Sequence, residues 1–256
     1  MLHWWQTLPL RFDATAFHIF EVNIPWYTLT YLLGIVLATL FFVSLARRQN
    51  LLPSEDSTIE LITSVLWGVI IGARLGYIFL YGDASYFREP WRIISPYDFS
   101  TGTWVGIRGL SFHGGLLGGA IGLWRFTREA GRHFWDFADA LVQAIPIGIF
   151  FGRLGNFLNH EILGRATEVW WGMRFFPEES FLRHPVTLYE AVGEGILLFF
   201  FMALAARLSP RPGMLTAIFL IGYGAVRFFF EQWRDTPPLA DASFTMGQLA
   251  SMAMML

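Results

Sequence analysis

Apolar residues run along this chain in blocks, without the strict alternation of half-buried strands. A segment of roughly 20 mostly apolar residues is long enough to cross a bilayer as a helix. Six blocks qualify, at 24–46, 57–81, 110–126, 134–157, 186–207 and 213–230. A seventh begins near Phe244 and reaches Leu256. About 12 residues of helix cover about 18 Å, so this block reads as a shortened last span or a re-entrant piece. No fixed-period repeat, linker or shift of composition divides the series. The pattern predicts one domain, 1–256: an all-α integral membrane protein, a polytopic bundle of about seven transmembrane helices. Ahead of the first block, residues 1–23 mix Trp4, Trp5, Phe12, Phe17 and Phe20 with Arg11, Asp13 and Glu21. Such a segment is expected to lie in the membrane interface. It has no basic stretch followed by an apolar core, so it does not read as a signal peptide.

Composition strengthens this picture. Of 256 residues, 54% are hydrophobic and 15% charged, against about 25% charged in a soluble domain. Mean hydropathy is positive. A net charge of −2 gives no basic field for nucleic acid. The chain has no cysteine, which excludes a disulfide framework, a thiolate metal site and an internal thiol nucleophile. Any thiol chemistry must use a thiol brought by a substrate.

All 18 basic residues are arginine. Arg47 and Arg48, then Arg125, Arg128 and Arg132, then Arg207 and Arg211 follow alternate blocks, which places those loops on the cytoplasmic side and the N-terminus outside. The opposite ends should be poor in arginine, yet Arg74, Arg88, Arg92, Arg108, Arg153, Arg165, Arg174, Arg183, Arg227 and Arg234 fall there. Ionisable groups inside apolar stretches are costly and usually functional. Cations placed against the topology rule call for an anionic partner, and a lipid phosphate in the outer leaflet would serve.

Three stretches could carry chemistry. Gly152 to Arg165 holds Arg153, Asn156, Asn159, His160 and Glu161 at the end of the fourth block. On a helix Arg153 and Asn156 share a face, so guanidinium and carboxamide could clamp phosphate or carboxylate oxygens. The plainer alternative is that Arg153 snorkels and Glu161 neutralises it. Gly109 to Gly115 holds Ser111, His113 and Gly114, and His113 can exchange a proton near neutral pH. The glycines at 114/118, 115/119 and 118/122 also have the spacing of close helix packing. In the sixth block Tyr223, Arg227 and Glu231 recur every four residues and form one polar stripe; an Arg227–Glu231 pair that only fixes packing fits the spacing equally. Weaker signals are His184 before Glu190, an acid inside a span that must be paired or protonated, and Trp26-Tyr27 at the first span. No metal-ligand spacing, phosphate-binding glycine loop or GxSxG elbow is present.

Taken together, Arg74-Leu75-Gly76-Tyr77, Ser111 to Gly115, Gly152 to Phe157 with Asn159, Glu161, Gly164 and Arg165, Arg183-His184-Pro185 through Tyr189-Glu190, Gly222-Tyr223-Gly224 with Arg227 and Glu231, and Met246-Gly247-Gln248 occur in an order that resembles the bacterial prolipoprotein diacylglyceryl transferase family, across nearly the whole chain. The resemblance implies a multi-pass inner-membrane enzyme with a small periplasmic head at 159–185 and its active site towards the periplasm. It would take phosphatidylglycerol and the lipobox cysteine of a preprolipoprotein signal peptide, form a thioether and release glycerol phosphate, without a cofactor or metal. Arg153 and Arg227 would hold the lipid phosphate. Tyr27, Ser111, Gly114, Asn156, Glu161, Gly164, His184, Glu190, Tyr223 and Glu231 would complete the site. His113 would accept the thiol proton, directly or through water, with Tyr27 and Tyr223 as alternatives. Departures from the family pattern are Arg108, His160 in place of a small residue, and a short 165–183 segment. The rival expectations are an outer-leaflet protein that binds or transports anionic lipid without chemistry, and a catalytically silent relative.

Overall fold

A computed structural model describes residues 3–19, 22–82, 85–93, 95, 97–98, 103–104, 111–208, 210–238 and 244–256. Among them seven helices exceed one turn: α1 Trp26–Arg48, α2 Glu55–Tyr81, α3 Phe112–Glu129, α4 Phe134–Leu158, α5 Val186–Ala206, α6 Met214–Glu231 and α7 Met246–Met255. These follow the seven apolar blocks to within a few residues; Arg108, Gly109 and Leu110, expected at the head of the third, lie outside the described residues. Helices α1, α2, α4, α5 and α6 are long and apolar enough to cross a membrane. Helix α3 is not among these five, because it carries five glycines and ends in Arg125, Arg128 and Glu129. The only sheets among the described residues are two-stranded. In one of them β1 Thr15–Ile19 pairs antiparallel with β2 Val22–Pro25, ahead of α1.

Contacts divide the chain into two compact units, 46–137 and the remainder. In the first, Ser54 starts α2 with a reciprocal cap to Ser57. Helices α2 and α3 meet through small residues. A Cβ placed on Gly68 or Gly72 would strike the Gly118 or Gly114 carbonyl, and one on Gly122 would strike that of Ser64. Removing side chains lets the backbones touch, the usual device where lipid supplies no hydrophobic drive between helices. Ser64 Oγ donates to the Gly122 carbonyl at 2.9 Å. Ser111 caps α3 by accepting from Gly114 N–H at 3.2 Å, and its own N–H donates to the Ala73 carbonyl. Outward side chains such as Leu66, Trp67, Leu116 and Leu117 are exposed, as lipid-facing positions should be.

In the second unit, α4, α5 and α6 close around Val142, Leu198, Met202, Ala205, Leu215 and Phe219. Asp139 of α4 caps α6 from a distance, its carboxylate accepting from Gly213 N–H at 2.7 Å, Thr216 N–H at 2.8 Å and Thr216 Oγ1 at 2.7 Å. Gly213 holds φ +86° there, a conformation suited to glycine. Residues Ala191–Leu197 in the middle of α5 are wound as a π-helix, a wider coil that recurs at functional sites. Helix α7 begins at a reciprocal Thr245/Gln248 cap and packs on α6, where Gly224 lies against the Ser251 carbonyl.

Candidate active site

The C-terminal end of α4, the first turns of α5 and the last turns of α6 bring charge together inside the second unit. Glu190 stands at the centre. Its Oε1 accepts from Arg227 Nη1 at 3.1 Å and from Arg234 Nε at 2.6 Å; its Oε2 accepts from Arg234 Nη2 at 2.8 Å and lies 3.2 Å from Arg153 Nε. Arg153 turns its fork to Glu194, with Nε and Nη2 on the same Oε2 at 3.1 and 2.9 Å. Arg227 also pairs with Glu231, four residues on. Glu231 Oε1 accepts from Thr245 Oγ1 at 2.8 Å. Gly247 abuts the Glu231 carboxylate, so a Cβ at 247 would displace it.

Among the described residues this cluster holds three arginines and three glutamates. The glutamate side chains are 0–2% exposed and the arginines 11–16%. The acids are enclosed, and the arginines keep slightly more exposure. Burying six charges is unfavourable unless they are paired and hydrogen-bonded, and the carboxylates fix the orientation of the three guanidinium groups.

Beside it, α4 ends and the chain turns outward. Asn156 Nδ2 donates to Glu161 Oε2 at 2.9 Å, and Asn159 donates to the other oxygen. Asn159 Oδ1 accepts from the Tyr27 N–H at 3.0 Å, tying the first residues of α1 to this turn. Tyr27 stacks on Tyr31 and faces Arg153 and Glu161. Gly155 is small because Tyr27 and Thr30 occupy the space a Cβ would take. His160 and Ile162 both hold φ +56°. That region is strained for a β-branched residue at about 1–3 kcal/mol, and the turn is held by Glu161 N–H to the Asn156 carbonyl and by His160 Nε2 on the Pro9 carbonyl at 3.0 Å. His160, unusual by its size, thus fastens the N-terminal segment.

A third group lies where the head meets the spans. Gly164 fits against the His184 carbonyl with no room for a side chain, and its own carbonyl accepts from Arg183 Nη1. Arg183 also pairs with Glu179 and Asp235. Trp171 Nε1 donates to Tyr189 Oη at 2.6 Å, leaving that hydroxyl to donate to His184 Nδ1 at 3.2 Å. Burial holds His184 below the ordinary histidine value, so its ring is neutral at pH 7.

Of the site residues expected from sequence, Arg153, Glu190, Tyr223, Arg227 and Glu231 belong to or line the cluster, since Tyr223 stacks on Phe219 and faces Arg153 and Glu194. Tyr27, Asn156 and Glu161 form the adjoining turn; Gly164 and His184 form the head contact. Ser111, His113 and Gly114 belong to the 46–137 unit. There Gly114 packs against Gly72 and Gly76, and His113 is an exposed second residue of α3. Glu161 does not neutralise Arg153, as the plainer sequence reading had it; the partners are Glu190 and Glu194. Arg234, one of the outward arginines of the sequence, joins the cluster, whereas the sequence reading points to neither Glu194 nor Thr245. An acid four residues after Glu190 in an apolar span was a usable signal for Glu194.

These helices and this buried lattice define a multi-pass membrane protein with a cluster of paired charges among its spans. Residues 14–256 match the prolipoprotein diacylglyceryl transferase family, and the chain belongs to it. It is 40% identical to a phosphatidylglycerol–prolipoprotein diacylglyceryl transferase of Chlorobaculum tepidum, over 96% of this chain and 87% of that protein. It is 36% identical to one of Campylobacter lari, over 100% and 94%, and 38% identical to one of Cupriavidus necator, over 96% and 90%.

Proposed function

We propose that this chain transfers the sn-1,2-diacylglyceryl group of phosphatidylglycerol to the lipobox cysteine of a preprolipoprotein, at the periplasmic side of the bacterial inner membrane. The observation that carries this reading is the Arg153–Arg227–Arg234 cluster, paired with buried acids and set at the ends of the spans of a chain in this family. Sulfur attacks the glycerol carbon that bears the phosphate. The C–S bond forms, the C–O bond breaks, and the electron pair leaves with glycerol phosphate. Arg153 and Arg227 hold the phosphate and stabilise the charge that builds on it as the bond breaks. His113 is the candidate acceptor of the thiol proton, directly or through water, with Tyr27 and Tyr223 as alternatives. Tyr27, Asn156, Glu161, Gly164, His184 and Tyr223 position the reacting groups around the cluster. Because the leaving group is already a phosphate, the step needs no cofactor.

Purified protein, phosphatidylglycerol and a lipobox peptide test it directly. A diacylglyceryl mass gain on the peptide cysteine, lost in His113→Ala and in Arg227→Ala, is the expected result. No mass gain by the wild type, with lipid still bound, would leave a lipid-binding protein and sink the transferase.

A further inference from the structure

The cluster's three positive and three negative charges cancel, so among the described residues it has no spare cation for a phosphodiester. A lipid monoanion docked on the arginine edges would leave one uncompensated negative charge in a buried site, which is costly. The three acids are not equally able to absorb the difference. Glu190 has both oxygens occupied by guanidinium donors. Glu231 has Oε1 on the Thr245 hydroxyl, and its Oε2, also without a hydrogen bond, is ion-paired with Arg227 and lies 3.7 Å from Arg234. Glu194 is different. Arg153 takes Oε2 with Nε and Nη2, while Oε1 is buried without a hydrogen-bond partner and stands in none of the ion pairs that Oε2 makes.

An unpartnered buried carboxylate oxygen is expensive and calls for an explanation. The groups facing Glu194 are Arg153 from α4, Arg227 and Tyr223 from α6, and Glu190 on its own helix. Oε1 can therefore gain a proton without losing any existing bond. If the phosphate also draws Arg153 forward, Glu194 loses its counter-ion and the pull toward protonation grows.

We propose that the phospholipid phosphate binds together with one solvent proton, which settles on Oε1 of Glu194. The proposal rests on the transferase reading for the identity of the lipid. Glu194 is a positioning residue here: by becoming neutral it frees Arg153 for the phosphate.

The test is calorimetric titration of the whole protein with phosphatidylglycerol, without peptide, in two buffers of different ionisation enthalpy. The expected result is uptake of about one proton per lipid and an apparent affinity that weakens about tenfold for each unit of rising pH. In Glu194→Gln lipid should still bind, with no proton uptake and a flat pH profile. Infrared difference spectra on adding lipid assign the carboxyl: a protonated-carboxyl C=O band should appear, shift in Glu194→Asp and stay in place in Glu190→Asp. Normal binding without proton uptake, or a band that moves with Glu190→Asp, would overturn the proposal. No binding of phosphatidylglycerol by the wild type would instead bring down the transferase reading beneath it.

Discussion

Helices α2 and α3 meet where side chains are missing, whereas α4, α5 and α6 meet where side chains carry charge. In the first pair Gly68, Gly72 and Gly76 face Gly114, Gly118 and Gly122, so the contact is backbone against backbone. In the second group Arg153, Arg227 and Arg234 share Glu190, Glu194 and Glu231. Both solve the same problem: lipid tails give helices no hydrophobic reason to associate, so they must gain contact or polar bonding instead. The difference lies in how each fails. A glycine contact fails when an atom is added; an ionic lattice fails when one is removed.

The largest effect should come from deleting the hub. Glu190→Ala leaves three guanidinium groups short of a partner and should cost about 3–5 kcal/mol, read as a lower melting temperature in detergent and loss of transfer activity. Next, Gly118→Ala pushes a methyl into the Gly68 carbonyl and should cost about 1–3 kcal/mol. The same substitution at Gly148, where a Cβ meets nothing within 4 Å, should stabilise α4 by about 0.4–1 kcal/mol. Equal melting shifts for the two glycine variants would erase the contrast. Asp139→Ala, which uncaps α6 far from the cluster, should cost about 2 kcal/mol while leaving lipid affinity in the folded fraction unchanged. The smallest effect is at His184. Its native value lies below the ordinary one, so the unfolded chain binds more protons as pH falls below about 6.5. Stability is therefore complete above that point and declines below it, and a melting series from pH 8 to pH 5 in the wild type and His184→Ala should show the decline only in the former.

Much of this was legible in the chain. Seven apolar blocks became seven helices, five of them long and apolar enough to cross a membrane, because block length can be read directly along the chain. Arg227 and Glu231 announced a polar stripe by their spacing, and the structure adds that the stripe faces Glu190. The small-residue spacing in α3 predicts close packing, and the structure supplies its complement, Gly68-Gly72-Gly76 on α2, because a helix contact needs matching small residues on two segments. Glu194 and Thr245, and the acid that Arg234 pairs with, stayed hidden because these contacts arise from three separated segments meeting; spacing within one helix carries no information on which acid a distant arginine will choose. The strained His160 and Ile162 turn was invisible for a similar reason, as nothing local in Asn159-His160-Glu161-Ile162 favours positive φ for a β-branched side chain.

The central claim is that the guanidinium edges of this lattice grip the lipid phosphate. The most direct measurement compares the affinity of the wild type, Arg153→Gln and Arg227→Gln for phosphatidylglycerol and for the matching diacylglycerol, which lacks the phosphate. Each variant should lose about 1.5–3 kcal/mol, roughly tenfold to a hundredfold or more, for phosphatidylglycerol alone. Equal losses for both lipids, or none for either, would contradict the account.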